Sequence, residues 1–163
     1  MPLDSFLKIE GEDVEGECVV KGHEKQLQLE SFSFGATNAG SRHTATGGGV
    51  GKGSVMDLMC SMNMDKSSPL LMKACAAGDH FDKATLFARK AGGDEPVTYM
   101  EIEMKDILIS SYQTGAASGS ETSMVNFSLN FATINFTYRP QKADGTPDAD
   151  VVQGWNIAVG EKL

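Results

Sequence analysis

Two long segments in which apolar and polar residues alternate constrain the fold more than any other feature of this sequence. They run over 97–112 and 125–138, and each changes phase once near its middle. Alternation with a period of two is typical of a half-buried β-strand, and a change of phase predicts a bend that keeps both apolar runs inside. Long, bent strands are typical of a closed or nearly closed barrel. We therefore expect a mainly β fold, a β-barrel of two packed antiparallel sheets.

The apolar positions of these segments define the expected core. In the first segment the inward side chains are Met100, Ile102, Met104, Ile107 and Ile109, with the phase change around Lys105 and Asp106. In the second they are Phe127, Leu129, Phe131, Ile134, Phe136 and Tyr138. A shorter segment over 25–35 changes phase from a pair of leucines to a pair of phenylalanines. This change predicts a bend near Glu30 and Ser31 that turns Ser31 and Ser33 away from the core.

One segment, 67–78, carries the signals of a short α-helix. Ser68 can cap the free amides at its start, Pro69 suits the first helical position, and Gly78 suits a left-handed residue after its end. At about 1.5 Å per residue such a helix is about 15 Å long, enough to cover one side or one mouth of a small barrel. The face expected to be buried from helical spacing consists of Leu71, Met72, Cys75 and Ala76.

The segment from Asn38 to Gly53 is rich in glycine and has Val50 as its only large apolar residue. Such a chain buries too little surface to order itself, so we expect an extended loop, or an arm that orders against a partner. It does not match a Walker motif, because Thr46 and Gly53 stand where that motif requires glycine and Ser or Thr. We call this segment the glycine arm.

Length and charge limit the class of protein. A chain of 163 residues fits one domain over 1–163. The 14 Lys and Arg residues against 22 Asp and Glu residues give a net charge of −8. Without a basic stripe, nucleic acid is not an expected partner. No stretch approaches the about 18 uncharged apolar residues that a membrane helix needs, so we also expect no membrane insertion.

The cysteines and the first residues bear on localisation. Cys18, Cys60 and Cys75 are an odd and widely spaced set, which favours free thiols in a reducing cytoplasm over a disulfide framework. The sequence does not begin with a basic segment followed by an apolar run, so we expect no signal peptide. If the protein leaves the cell, a dedicated machine must carry it.

Motifs for catalysis and metal binding are absent from the sequence. The histidines form no two-histidine helix motif, and there is no Cys-x-x-Cys pair, so we expect no metal and no cofactor. Glu101 and Glu103 share a strand face, but Lys105 continues it, which favours a solvated stripe over an acid-base pair. No Gly-x-Ser-x-Gly motif occurs. We therefore expect a protein that is not an enzyme and has no catalytic residues.

A specific set of residue clusters extends along essentially the whole chain. The clusters are Arg89-Lys90-Ala91-Gly92-Gly93, Ser110-Ser111, Asn130-Phe131-Ala132, Tyr138, Pro140-Gln141-Lys142-Ala143-Asp144-Gly145 and Gly154-Trp155-Asn156, with Ser33-Phe34-Gly35, the glycine arm and Ser68-Pro69 in the expected order. Together they resemble the Hcp family, the haemolysin-coregulated proteins of bacterial type VI secretion systems.

The resemblance implies how such a barrel would be used. It implies a homo-hexameric ring, and rings that stack into a hollow tube related to phage tail tubes. In the family, a contractile sheath propels the tube, a VgrG spike sits at its tip, and effector proteins travel in its lumen. The resemblance also implies synthesis in the cytoplasm and secretion by the type VI apparatus without a signal peptide.

Short uncharged side chains are expected to face the lumen, because Ser, Thr and Asn can hydrogen-bond a passenger weakly without holding it by charge. The expected lumen-facing or cargo-facing residues are Ser31, Ser33, Ser128, Asn130, Thr133, Asn135 and Thr137. The glycine arm looks like the family's loop that reaches toward the next ring. Its expected ring-stacking residues are Asn38, Gly40, Gly47, Gly48, Gly49, Val50, Gly51 and Gly53.

Two other functions are compatible with a small barrel. A monomeric ligand-binding β-barrel, for sugars for example, would normally present aromatic side chains on an open face, whereas the aromatic residues here fall on the apolar phases of the strands. A phage-type tail-tube subunit is physically almost the same object as the ring subunit, and the residues do not separate the two.

Overall fold

A computed structural model describes residues 4–11, 14–38, 53–90 and 95–163, and the structural statements below concern these residues. They form eleven β-strands and one α-helix. The strands are β1 (Asp4–Glu10), β2 (Leu27–Leu29), β3 (Ser31–Ser33), β4 (Ala36–Asn38), β5 (Gly53–Val55), β6 (Leu58–Asn63), β7 (His80–Lys90), β8 (Val97–Gly115), β9 (Met124–Tyr138), β10 (Val151–Asn156) and β11 (Glu161–Lys162). The helix, α1, spans Ser68–Ala77.

Nine of these strands form one antiparallel sheet. Its main path runs β11, β10, β9, β8, β7, β1, β2, and β6 joins it by pairing with both β9 and β3. The remaining two strands, β4 and β5, pair with each other as a separate ribbon. The fold is therefore mainly β and antiparallel with one short helix, as the alternation in the sequence predicts.

A bend at Glu30 connects β2, at one end of the sheet path, to β3 and through it to β6 and β9. Strand β2 ends at Leu29 and pairs with β1, whereas β3 begins at Ser31 and pairs with β6. The Glu30 N–H donates to the Ser61 carbonyl at 2.8 Å. Leu29 is buried while Ser31 and Ser33 are exposed, so the side chains change phase here and the predicted bend is confirmed.

Strands β8 and β9 bend together in the same manner. Met104 and Ile107 are three positions apart and are both fully buried, which strict alternation along a flat strand does not allow. Asp106, between them, has a left-handed backbone with φ 56°, and this conformation supplies the change of phase. Phe131 and Ile134 on β9 are buried in the same way. Each long strand is thus divided into two halves, as predicted.

The helix packs along a different stripe from the predicted one. Ser68, Leu71 and Ala74 are its buried residues, and the latter two belong to the same buried cluster as the inward side chains of the barrel. The prediction was wrong for Met72, which is 50% exposed, and for Ala76, which is exposed. The helix meets the barrel along positions three residues apart, so the buried stripe is narrower than an average amphipathic face.

The ends of the helix match the capping signals in part. Gly78 follows the last helical residue with φ 70°, as predicted. The N-cap is Ser67, one residue before the predicted cap, and its side chain makes no capping hydrogen bond. Ser68 Oγ instead accepts a hydrogen bond from the Asp65 N–H at 3.1 Å, so it stabilises the turn that leads into the helix.

At β9 and β10, the face of the sheet that bears the core side chains extends past the buried part of the protein. Phe136 and Tyr138 are 36% and 43% exposed, so the expectation that both would be buried was wrong. Tyr138 pairs in register with Val151, which is 54% exposed. Their side chains share one face of the sheet, and the part of the chain that the structure describes does not cover it.

Candidate functional site

Charge is divided unevenly between the two halves of the bent sheet. One half consists of β3, β6 and the parts of β8 and β9 over 107–115 and 124–131, and none of these residues is charged or a histidine. We call it the neutral half-sheet. The charged half-sheet consists of β1, β2, β7, β10, β11 and the other parts of β8 and β9, and its charged residues lie on β1, β7, β8 and β11. In a chain of net charge −8, the uncharged outer face of the neutral half-sheet is the candidate functional surface.

The strand register aligns the outward side chains of this half in rows. The rows are Ser33, Met59, Ser128 and Ser111, and Ser31, Ser61, Asn126 and Gln113. Side chains that lie opposite each other in antiparallel strands point to the same face. The outer face of the neutral half-sheet is therefore built almost wholly of hydroxyl and amide groups.

Many of these polar groups are hydrogen-bonded to one another. Ser61 Oγ donates to Asn126 Oδ1, and Ser128 Oγ shares hydrogen bonds with Ser110 Oγ at 2.7 Å and with Ser111 Oγ at 2.5 Å. A group that already has a partner gains little from a new one. The surface can therefore be polar and still bind another molecule only weakly.

Four of the predicted lumen-facing residues lie on this half of the sheet. Ser31, Ser33 and Asn130 are exposed there. Ser128 has the right register but is only 3% exposed, because neighbouring hydroxyl groups cover its own. Ser128 therefore links other hydroxyl groups of this surface, and its place at the lumen stays a prediction.

The other three predicted residues lie beyond the bend, on the charged half-sheet. The register sets Thr133, Asn135 and Thr137 opposite Lys105, Glu103 and Glu101. These three side chains are half-buried among charged neighbours. The seven predicted residues therefore do not form one continuous uncharged surface, because the change of phase that keeps the core apolar also moves the outer face into a charged environment.

Two methionines and one carboxylate on or beside the neutral half-sheet were not predicted. Met59 and Met124 are 50% and 37% exposed and add apolar surface to the hydroxyl and amide groups. Asp57, directly before β6, accepts hydrogen bonds from Ser110 Oγ at 2.6 Å and Asn130 Nδ2 at 2.9 Å. The alternation along β6 carries a signal for Met59, whereas nothing in the sequence indicates the contacts of Asp57, which span 53 and 73 positions.

The described ends of the glycine arm form the β4–β5 ribbon. Asn38 and Gly53, the first and last of the predicted ring-stacking residues, lie opposite each other in it. All three residues of β4 are exposed, as are the first two of β5. The other predicted stacking residues lie outside the described residues, and they are Gly40, Gly47, Gly48, Gly49, Val50 and Gly51.

The charged half-sheet carries ion pairs. Glu103 lies 3.3 Å from Lys83 and 3.8 Å from Lys105, and Lys83 also reaches Glu10 at 4.0 Å. Such pairs agree with the predicted solvated stripe. Within the described ranges, no group of three or more His, Cys, Asp or Glu residues is placed to hold a metal ion. No helix among the same residues is long and apolar enough to cross a membrane.

A surface ion pair and a buried thiol have shifted pKa values. Bidentate hydrogen bonds with Asp150, at 2.7 Å and 3.0 Å, raise the pKa of Arg139 and lower the pKa of Asp150. This pair joins the end of β9 to the residue before β10. On the inner side of the neutral half-sheet, burial raises the pKa of the Cys60 thiol. The ion pair is an exposed contact between strand ends, and the thiol is buried in the core.

Comparison with known proteins relates this fold and surface to one family. A family model described as "Type VI secretion system effector, Hcp" matches residues 6–138. Protein hcp1 of Pseudomonas aeruginosa is 44% identical over 158 residues, which is 96% of each chain. A solved structure of a type six secretion system protein has a TM-score of 0.90 at 25% identity and covers 99% of each chain. Hcp1 from Salmonella typhimurium has a TM-score of 0.80 at 25% identity and covers 100% of each chain.

Proposed function

This chain belongs to the Hcp family, the tube proteins of the bacterial type VI secretion system, and we propose that six copies of it close into a ring. Rings of this kind stack into a tube, with the neutral half-sheet toward the lumen and the glycine arm toward the next ring. The observation that carries this proposal is the absence of charged residues from the strands of the neutral half-sheet, in a chain with 36 charged residues outside histidine.

An uncharged, hydrogen-bonded wall suits the transport of folded proteins. Effector proteins differ in charge, and a wall of one sign would hold some and repel others. Because Ser61, Asn126 and Ser128 are bonded within the wall, contacts with a passenger stay weak. We propose effector proteins as the passengers, with the VgrG spike and the contractile sheath as the other partners of the tube.

Exposed apolar side chains support association between copies of the chain. Phe136, Tyr138 and Val151 are 36%, 43% and 54% exposed on one face at the edge of the sheet. Apolar groups that cluster on a surface commonly mark protein interfaces. In this proposal the protein has a structural role without catalysis or cofactor, is made in the cytoplasm, and is exported by the type VI apparatus without a signal peptide.

Deletion of Gly47 to Gly51 tests the role of the arm. We expect the shortened protein to form rings with the mass of six shortened chains, slightly below the about 104 kDa of six full 17.4 kDa chains, but to grow tubes poorly. The reason is that ring closure and ring stacking use different surfaces in this proposal. Sedimentation measures the rings, and electron microscopy and secretion measure the tubes. Normal tubes from the shortened protein would refute the role of the arm, and a lone 17.4 kDa particle at every concentration of the full chain would refute the ring.

Replacement of Ser33 by Gln tests the lumen. Ser33 is exposed on the neutral half-sheet, so a longer side chain should obstruct the bore without unfolding the strand. We expect rings of unchanged mass and a several-fold loss of effector recovered with them. Replacement of Ser120 by Gln, an exposed turn residue outside the strands, is the control. Unchanged effector recovery from the Ser33 variant would count against this placement of the lumen.

A further inference from the structure

We propose that Asp57 is a positioning residue that fixes the direction in which the β4–β5 ribbon leaves the barrel. The inference rests on the proposed function, in which this ribbon is the root of the arm that contacts the next ring. It goes beyond that function by identifying the residue that sets the direction of the arm.

The ribbon needs an external anchor because it is small. It consists of two strands of three residues each, and these pair with each other and with no other described strand. Two-stranded ribbons are marginally stable in water, and five of these six residues are exposed. Its direction is therefore set where it joins the barrel.

The first anchor is apolar and lies before β4. The ring of Phe34 is 6.4 Å from the ring of Phe131 and 6.4 Å from that of Phe136. The Met56 N–H donates to the Gly35 carbonyl at 2.8 Å, which joins the two sides of the ribbon at its root. Phe34 fixes the position of the root, but contacts made through one ring still permit the ribbon to pivot about that side chain.

The second anchor is polar and lies after β5. Asp57 Oδ2 accepts from Ser110 Oγ at 2.6 Å, and Asp57 Oδ1 accepts from Asn130 Nδ2 at 2.9 Å. Hydrogen bonds to a carboxylate are shorter and stronger than neutral ones, and here two of them hold the two oxygens of one carboxylate in different directions. Ser110 stands at the register shift between β8 and β9 and is itself bonded to Ser128, so the group that holds Asp57 is fixed in turn.

The two anchors contact consecutive residues of β9 on opposite faces of that strand. Asn130 and Phe131 are consecutive on β9, and consecutive side chains of a strand point to opposite faces. Phe131 is buried against Phe34, and Asn130 is exposed and bonded to Asp57. Two attachments on opposite faces of one strand remove the rotation that either one alone would permit.

Spin-label distances test the inference without requiring tubes. Labels at Thr37 in the ribbon and Gln113 on β8, in a chain with Cys75 replaced by Ala and diluted into unlabelled protein, report the ribbon's direction within one subunit. We expect a narrow distance peak that Asp57→Ala abolishes. Asp57→Asn should preserve the peak, because the Asn130 amide can rotate and present its oxygen to the new amide. With Asp57→Ala we also expect roughly tenfold slower tube growth, the factor that corresponds to the loss of about one charge-assisted hydrogen bond, with rings intact.

The outcomes separate this inference from the proposed function. If deletion of Gly47 to Gly51 leaves tube growth normal, the role of the arm fails whatever Asp57 does. If that deletion blocks tube growth but Asp57→Ala keeps the narrow peak, the role of Asp57 is overturned.

Two further variants control for general destabilisation. Asp144→Ala also removes two hydrogen bonds to a carboxylate, from the Thr146 N–H at 3.0 Å and Oγ at 2.6 Å, and it should leave the peak unchanged. A peak that Asp144→Ala also abolishes would overturn the inference. Should Asp57→Ala fail to fold, Asn130→Ala removes one of the two bonds and is expected to broaden the peak, and an unchanged peak would again overturn it.

Discussion

At the scale of single residues, alternation along β6 separates the core from the candidate lumen surface. Cys60 is 2% exposed, whereas Met59, its neighbour, is 50% exposed. The thiol therefore lies in a medium that disfavours its charged form, and burial raises its pKa. Because the thiol is neutral at ordinary pH in both the folded and the unfolded chain, this burial becomes a stability effect only in alkali.

We expect Cys60 to make the protein less stable as pH rises above about 8.5, where the thiol of the unfolded chain ionises. The folded chain keeps its proton, so the unfolded state binds fewer protons and the free energy of unfolding falls, by up to about 1.4 kcal/mol per pH unit. The effect is absent below that pH. Denaturant unfolding of the wild type and of Cys60→Ala between pH 7 and 10 measures it. Since other groups titrate in both proteins, parallel curves would show that the thiol makes no contribution.

At the scale of elements, one residue allows β8 to serve both halves of the sheet. Asp106 has φ 56°, a conformation that costs an ordinary L-residue about 1 to 2 kcal/mol and that Asp tolerates better than most. It places Met104 and Ile107 in the same core. The bend therefore depends on a local backbone state that side chains branched at Cβ resist.

We expect Asp106→Val to lower the free energy of unfolding by about 1 to 2 kcal/mol, because valine is strained at positive φ. Asp106→Gly should be as stable as the wild type, since glycine adopts this conformation freely. Lys105→Val is the matched control, as Lys105 is the exposed neighbour without positive φ, and should change stability by less than about 0.5 kcal/mol. Denaturant unfolding measures all three. Equal losses from Asp106→Val and Lys105→Val would contradict the role of the bend.

At the scale of the whole molecule, the net charge opposes assembly. Six copies of a chain with charge −8 carry −48, and repulsion between subunits extends over about one Debye length. Within the charged half-sheet, ion pairs such as Lys83 with Glu103 at 3.3 Å offset charge only locally. The proposed ring would therefore form against a repulsion that salt screens.

We expect rings and tubes to form less readily at about 0.01 M salt, where the Debye length is about 30 Å, than at physiological salt, where it is about 8 Å. Sedimentation at the two ionic strengths measures the fraction in rings. Neutral sucrose at matched density is the control for solvent effects other than screening. More complete assembly at low salt would mean that attractive pairs between subunits outweigh the net repulsion.

The sequence alone determined the elements and their bends. Alternation identified the long strands, the changes of phase located the bends at Glu30 and Asp106, and Gly78 marked the end of the helix. These features can be predicted because burial of apolar side chains imposes a local period on the sequence. Where a strand bends or an element ends, that period changes within a few residues. The function was predicted from residue clusters that this chain shares with the Hcp family, and these clusters are also local features of the sequence.

Tertiary structure alone decided which polar residues share a surface. It buried Ser128 under neighbouring hydroxyl groups, set Thr133, Asn135 and Thr137 among charged residues, left Met72, Phe136 and Tyr138 exposed, and joined Asp57 to Ser110 and Asn130. Polar side chains show no period from which their neighbours could be predicted, because each can be solvated at almost any surface position. Their neighbours are therefore fixed only when strand pairing brings distant parts of the chain together.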